Sequence, residues 1–188
     1  MARAKSPEKR QAILDSAIRA IAQTGLGAST ASIAKGAEIA EGTLFTYFAT
    51  KDDLFNELYV ELKTEAYRRI NTGFPHDARL RDRVRHIWNQ YLHWAIEAPE
   101  ARKVSVQLNL CAIVSAKTRA RMSSQSEAIM QTMNEVSKRG AFEQLPPGFA
   151  FAAISALQEA VMEMVAKEPK QKAILIEGGF SAFWQMTK

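Results

Sequence analysis

Between Ser29 and Lys51 the chain reads STASIAKGAEIAEGTLFTYFATK, and this stretch restricts the fold more than any other. It sets two short helical patterns on either side of a tight turn, with a third pattern starting at once. Ser29 is placed to cap the first helix, because its hydroxyl can accept from an orphan backbone N–H. Ile33, Ala34 and Ala37 then recur at helical spacing. A second helix is expected from about Glu41 and Gly42, with Leu44, Phe45 and Phe48 facing inward. That leaves Thr43, Thr46 and Tyr47 on the other side. Such an outer face is small and hydroxyl-rich. It suits a helix laid into a DNA major groove, where side chains must come close to base edges. Lys51 follows immediately, placed to meet a phosphate.

The run ASTASIAKGAEIAEGTLFTYFATKDDLF, from Ala28 to Phe55, resembles the DNA-binding signature of the TetR family of repressors without a gap. Ile33-Ala34, Gly42-Thr43-Leu44-Phe45, Tyr47-Phe48, Lys51 and Leu54 all fall at that family's spacing. Two residues depart from it. Glu38 stands where the family usually has Gly in the turn, so the chain must strain there or turn differently. Ala40 replaces the usual Ser cap of the second helix, at a cost of ~1 kcal/mol in local helix stability. The wording AEGTLF-x-YFATKD, with IWN-x-Y-x-x-W further on, is similar to the RamR-type multidrug-responsive branch. That likeness implies control of genes linked to multidrug efflux, with bulky amphipathic or cationic inducers.

The chain has 188 residues, 47% of them hydrophobic, which is ample for a packed core. Its net charge of +5 suits a polyanionic partner only mildly. The single cysteine, Cys111, excludes an intrachain disulfide and is expected as a buried, inert thiol in a reducing compartment. The charged N-terminus lacks the apolar core of a signal peptide, and no run approaches the ~18 apolar residues of a membrane span. A cytoplasmic protein without membrane contact is expected.

Periodicity predicts helices throughout and no alternating strand pattern. The first helix opens at Ser6-Pro7-Glu8 and ends at Gly25, with Arg3 and Lys5 before it as either a DNA-reaching arm or a solubilising tail. With the next two it forms a head whose expected core is Ile13, Leu14, Ala17, Ile18, Ile21, Ile33, Ala34, Ala37, Ile39, Leu44, Phe45 and Phe48. A fourth helix is expected from Thr50 to Ile70. Further helices are predicted over about 78–97, from Pro99 to Lys117, from Ser124 to Arg139, from Pro147 to Lys167 and from Pro169 to Met186. The expected architecture is all-α: a helix-turn-helix head over residues 1–50 and a ligand-binding and dimerisation body over 51–188, with the helix 51–70 connecting them.

Aromatic and methionine side chains crowd the body, and they make either a core or a pocket for varied apolar ligands. The TetR resemblance implies a two-part switch with a ligand cavity in that body. By that analogy Tyr59, Trp88, Tyr91 and Ile154 line it, and Glu159 and Gln107 are candidate polar contacts. The last two predicted helices resemble those through which TetR-like subunits pair. Gly178 and Gly179 cost ~1 kcal/mol each in a helix interior and make sense where two backbones approach. Phe180, Phe183 and Trp184 beside them offer apolar area to a second copy, or pack within the chain.

Enzyme chemistry finds no footing. No phosphate-cradling glycine loop is present, Cys111 has no activating neighbours, and no acid precedes a histidine by three residues. His86 and His93 share a helix face with Asp82, but satisfied or exposed histidines explain them better than metal. No cofactor, metal or catalytic residue is expected. The expected partners are a near-palindromic duplex operator, a small-molecule effector and a second copy of the chain. Ser29, Thr30, Thr43, Tyr47 and Lys51 are expected on phosphates, and Glu41, Gly42 and Thr46 at base edges. A dimeric helical carrier of small molecules is the alternative, and it leaves the hydroxyl-rich head unexplained.

Overall fold

A computed structural model describes residues 5–188, so Arg3 of the expected arm lies outside the described residues. The architecture is all-α, with no strand among the described residues. In chain order the helices are α1 (Pro7–Thr24), α2 (Thr30–Gly36), α3 (Glu41–Tyr47), α4 (Lys51–Asn71), α5 (Leu80–Glu97), α6 (Pro99–Leu110), α7 (Ala116–Arg121), α8 (Glu127–Val136), α9 (Phe149–Lys167) and α10 (Lys172–Gln185). They form two compact units. The first takes the chain up to Glu65 together with Ala98–Met122, and the second takes Ala66–Glu97 and Ser123–Lys188. Helix α4 contributes residues to both.

In the first unit, Ser6 caps α1 by accepting from the Lys9 N–H at 3.2 Å, and Gly25 ends the helix at φ 75°. Ile13, Leu14, Ala17 and Ile21 of α1 are buried with Ile33 and Ala34 of α2, Leu44 of α3, and Leu54, Phe55 and Leu58 of α4. Helices α1 and α2 touch so closely that a β-carbon at Gly36 would collide with the Ser16 hydroxyl. That hydroxyl donates to the Ile33 carbonyl at 2.7 Å. Thr50 and Asp53 cap α4 reciprocally: Asp53 N–H donates to the Thr50 hydroxyl at 3.0 Å, and Thr50 N–H to the Asp53 carboxylate at 3.1 Å.

Three members of the expected head core are corrected. Ile18 and Ile39 are only half-buried, and Phe45 is 43% exposed. In a helix of two turns, Leu44 and Phe48, four apart, take the inward face. Phe45 is rotated about 100° from Leu44 and falls above Glu41 on the outside. Of the two outcomes expected at the turn, the backbone takes the strained one: Glu38 sits at φ 56°, the one non-glycine with positive φ among the described residues.

The single helix expected from Pro99 to Lys117 is two helices. It breaks over Cys111–Ser115, and Ser115 caps α7 by accepting from the Thr118 N–H at 3.1 Å. Asn56 of α4 holds the break, donating to the Ile113 carbonyl at 3.0 Å and accepting from the Ser115 N–H at 3.0 Å. Cys111 is therefore the half-buried residue closing α6, not a core thiol.

In the second unit α5 is packed by α8, α9 and α10. Val84, Ile87, Trp88, Leu92, Trp94 and Ala95 supply its buried face. Arg83 pairs with Glu135 of α8, and Arg85 with Glu177 of α10 at 2.5 Å. These guanidinium contacts hold both carboxyls below the usual carboxylate range. Two of the expected helices begin later than predicted, because 3₁₀ turns over Ser124–Ser126 and Pro169–Gln171 precede α8 and α10. The expectation of no span-like run needs one correction. Helix α9 is long and apolar enough by length and composition to cross a membrane, although Ala150, Ile154, Gln158, Val161, Met162 and Val165 bury one face of it in the unit.

Candidate nucleic-acid interface

Helix α3 projects Glu41, Gly42, Phe45 and Thr46 outward, all exposed, while Thr43 and Tyr47 are half-exposed. No atom lies within 4 Å of where a β-carbon on Gly42 would sit, so the backbone there is open to an approaching surface. Thr30, at the start of α2, donates to the Glu41 carboxylate at 2.5 Å and ties the two helix starts together. The Thr46 hydroxyl back-bonds to the Gly42 carbonyl at 3.2 Å. Ser29 accepts from the Ser32 N–H at 3.1 Å and caps α2.

Tyr47 has a role that its sequence position did not disclose. Its phenol oxygen accepts from the Ser6 N–H at 3.0 Å, fixing the start of α1 against α3. A phenol both accepts and donates, so its own proton stays available to a phosphate oxygen. Lys51 is more occupied than expected. Its ammonium donates to the Leu26 carbonyl at 3.0 Å and lies 5.2 Å from the Phe55 ring centroid, with two further N–H donors left. Two exposed residues of these helices were not among the expected contacts: Phe45, expected inward, and Lys35 in the last turn of α2.

The four residues expected around a ligand are divided between the units. Tyr59, in the first, is 5% exposed, with Lys63 and Arg119 against its ring. Trp88, Tyr91 and Ile154 lie in the second. Trp88 is a packing residue: its indole N–H donates to the Ile176 carbonyl at 3.0 Å, and its ring meets Gly179 and Phe180. Tyr91 donates to Glu159 at 3.3 Å, and Ile154 is buried. Gln158, also buried and not anticipated, has an amide nitrogen with no hydrogen-bond partner among the described residues. A groove of about 820 Å³ opens where α5 begins, lined by Arg79, Arg81, Arg83, Lys138, Arg139 and Trp184; none of the four expected residues lines it.

The residues expected between copies are corrected in part. Phe180 and Phe183 are fully buried within the chain, so their apolar area is already covered. A β-carbon on Gly179 would lie 2.6 Å from Val161 and 2.8 Å from Trp88, so this glycine serves an approach inside the chain. Gly178 faces open space, and Trp184 is half-buried, stacked on Phe180 at 6.3 Å. His86 bonds the Ile70 carbonyl at 2.7 Å, and His93 is exposed.

Residues 13–58 match the model of the bacterial regulatory proteins of the tetR family. The uncharacterized HTH-type transcriptional regulator YhgD of Bacillus subtilis is 34% identical over 75 residues, covering 37% of this chain and 39% of that relative. The match thus spans well under half of the relative's length. The chain superimposes on a TetR family transcription regulator from Marinobacter aquaeolei VT8 with a TM-score of 0.81 at 20% identity, covering 95% of each chain. It also superimposes on the TetR-like regulator LfrR from Mycobacterium smegmatis, solved with proflavine, with a TM-score of 0.68 at 20% identity, covering 94% of this chain and 95% of that one. At these identities the likeness shows the fold.

Proposed function

We propose that this chain is a DNA-binding transcriptional regulator that represses and that releases its operator on binding a small molecule; the match of residues 13–58 to the tetR family model and the TetR-like fold of the described residues support this reading. The observation that carries this reading is the outward face of α3. Glu41, Gly42, Phe45 and Thr46 are all exposed there, on a helix too short to do anything by itself. Glu41 and Thr46 read base edges, and the Phe45 ring fits against a thymine methyl. Ser29, Thr30, Thr43, Tyr47 and the remaining donors of Lys51 meet phosphates and set the register.

The division of labour places DNA binding in residues 1–50 and effector binding with pairing in 51–188. A second copy docks on the exposed side of α9 and α10, where Met164, Ile174 and Gly178 are open. Two-fold pairing presents two α3 helices to a near-palindromic operator. The protein acts in the cytoplasm, and the sequence likeness to the RamR-type branch supports multidrug efflux genes as its targets. Its effector is a bulky amphipathic molecule; LfrR, with the same fold, was solved with proflavine. Release is a coupling energy, typically ~1–3 kcal/mol, and operator must weaken effector binding by the same factor.

Selection of bound fragments from a random duplex library tests the reading. A palindromic consensus, bound with affinity that falls steeply as salt rises, is the expected result. A dimer that enriches no sequence even in dilute buffer would instead be a helical carrier, and the proposal would fail.

A further inference from the structure

Lys63 on α4 and Arg119 on α7 converge on one buried tyrosine within the first unit. The Lys63 ammonium lies 5.6 Å from the Tyr59 ring centroid, and the Arg119 guanidinium carbon lies 5.4 Å from it. Neither cation has an ion-pair partner among the described residues. Other partly covered cations differ: Arg10, Arg83 and Arg85 each meet a carboxylate. Arg119 uses one arm on the Cys111 carbonyl at 3.1 Å, which leaves other guanidinium donors uncommitted.

Two like charges gathered at one ring, both half-buried, repel each other. The ring face offsets part of that cost. Burial and the neighbouring Arg119 lower the Lys63 pKa to about 8, the response of an ammonium that lacks an anion. An anion that reached both groups would meet a point charge from Lys63 and a planar fork from Arg119, a pair that suits a carboxylate or a phosphate monoester.

We propose that the effector carries an anionic head group, which Lys63 and Arg119 hold together beside Tyr59. This rests on the ligand-responsive reading above and narrows it. It also opposes the cationic inducers implied by the RamR likeness, because a cation at this ring would meet two like charges. The clamp joins α7 to α4, the helix whose first turn follows α3 by only a few residues.

The test is calorimetric titration of the full chain with three probes of one tail length: decanoate, decyl phosphate and decyltrimethylammonium. At least one anion is expected to bind and the cation not to; which anion binds more tightly separates carboxylate from phosphate. Lys63→Met and Arg119→Met should each weaken the anion by about tenfold or more. Lys63→Met removes a half-buried charge, so its fold is retained, and circular dichroism checks both variants. The proposal is overturned if the cation binds as tightly as the anions, if neither anion binds at millimolar concentration, or if the double variant binds the anions unchanged. Duplex binding is followed in parallel. A chain that takes the anions through these residues but binds no duplex supports the anion site and refutes only the regulator reading.

Discussion

The side chain of Asn56 accepts a hydrogen bond from the Thr118 hydroxyl at 2.6 Å, across 62 residues of sequence. Its other bonds, to Ile113, Ser115 and the Asp52 carbonyl, bind the gap between α6 and α7 to α4. Glu57, the next residue, accepts from Arg10 of α1 at 3.1 Å and from Arg121 of α7 at 2.7 Å. Lys103 of α6 adds a bond to the Ala22 carbonyl at 2.6 Å. Within the first unit, therefore, α6 and α7 are fastened to the same helices that carry α3.

Replacing Asn56 strips the α6–α7 break of its partners. Asn56→Ala should lower unfolding free energy by about 2–3 kcal/mol, because the part-buried Ile113 carbonyl and Thr118 hydroxyl lose their partner. Asn56→Asp keeps the acceptors and loses the donors, so it should fall between. Urea unfolding of the three proteins checks the order.

Tyr47→Phe removes one phenol and no charge. Operator affinity should fall about fivefold to tenfold on every sequence, with the salt slope unchanged. Lys51→Met should instead reduce that slope by about one unit. Titrations at several salt concentrations separate the two roles; equal slopes for wild type and Lys51→Met would remove Lys51 from the phosphates.

The paired glycines of α10 should behave oppositely. Gly179→Ala drives a β-carbon into Val161 and Trp88 and should cost about 1–3 kcal/mol. Gly178→Ala meets nothing within the chain and should gain ~1 kcal/mol of helix propensity. If the second copy docks there, the same change weakens pairing, which sedimentation at low concentration would detect.

Glu38 sits in the left-handed region with an exposed side chain. Glu38→Gly should stabilise the chain by up to ~1 kcal/mol, since the β-carbon that disfavours this conformation is gone. An unchanged melting temperature would mean that the turn carries no strain.

Burial, and then repulsion from Arg119 on α7, brings the Lys63 pKa from 10.5 to about 8. The other group against its ammonium is the Tyr59 ring, on its own helix. Between those two values the unfolded chain holds a proton that the folded chain has lost, so stability from this group rises with pH. Below about pH 8 the penalty is present in full. Lys63→Met should therefore be more stable than wild type near neutral pH, and the gap should close as pH rises towards about 10.5. A gap that stays constant across that range would show that Lys63 titrates normally.

Local chemistry determined much of this protein without tertiary help. Caps at Ser6, Ser29 and Thr50, the turn strain at Glu38 and the inward stripe of α1 follow from neighbouring residues alone, so they are legible in the chain. The family likeness of residues 13–58 is equally local. Tertiary structure decided what depends on partners distant in sequence. Phe45 turns outward because Leu44 and Phe48 fill the space beneath α3. The helix predicted from Pro99 to Lys117 breaks because Asn56 answers the backbone groups that the break frees. Phe183 and Phe180 belong to the interior because α10 comes down on Trp88 at Gly179, and Lys63 faces Arg119 only because α7 folds back over α4. Periodicity tells a chain which face to bury; it carries no information about which remote side chain will be waiting there.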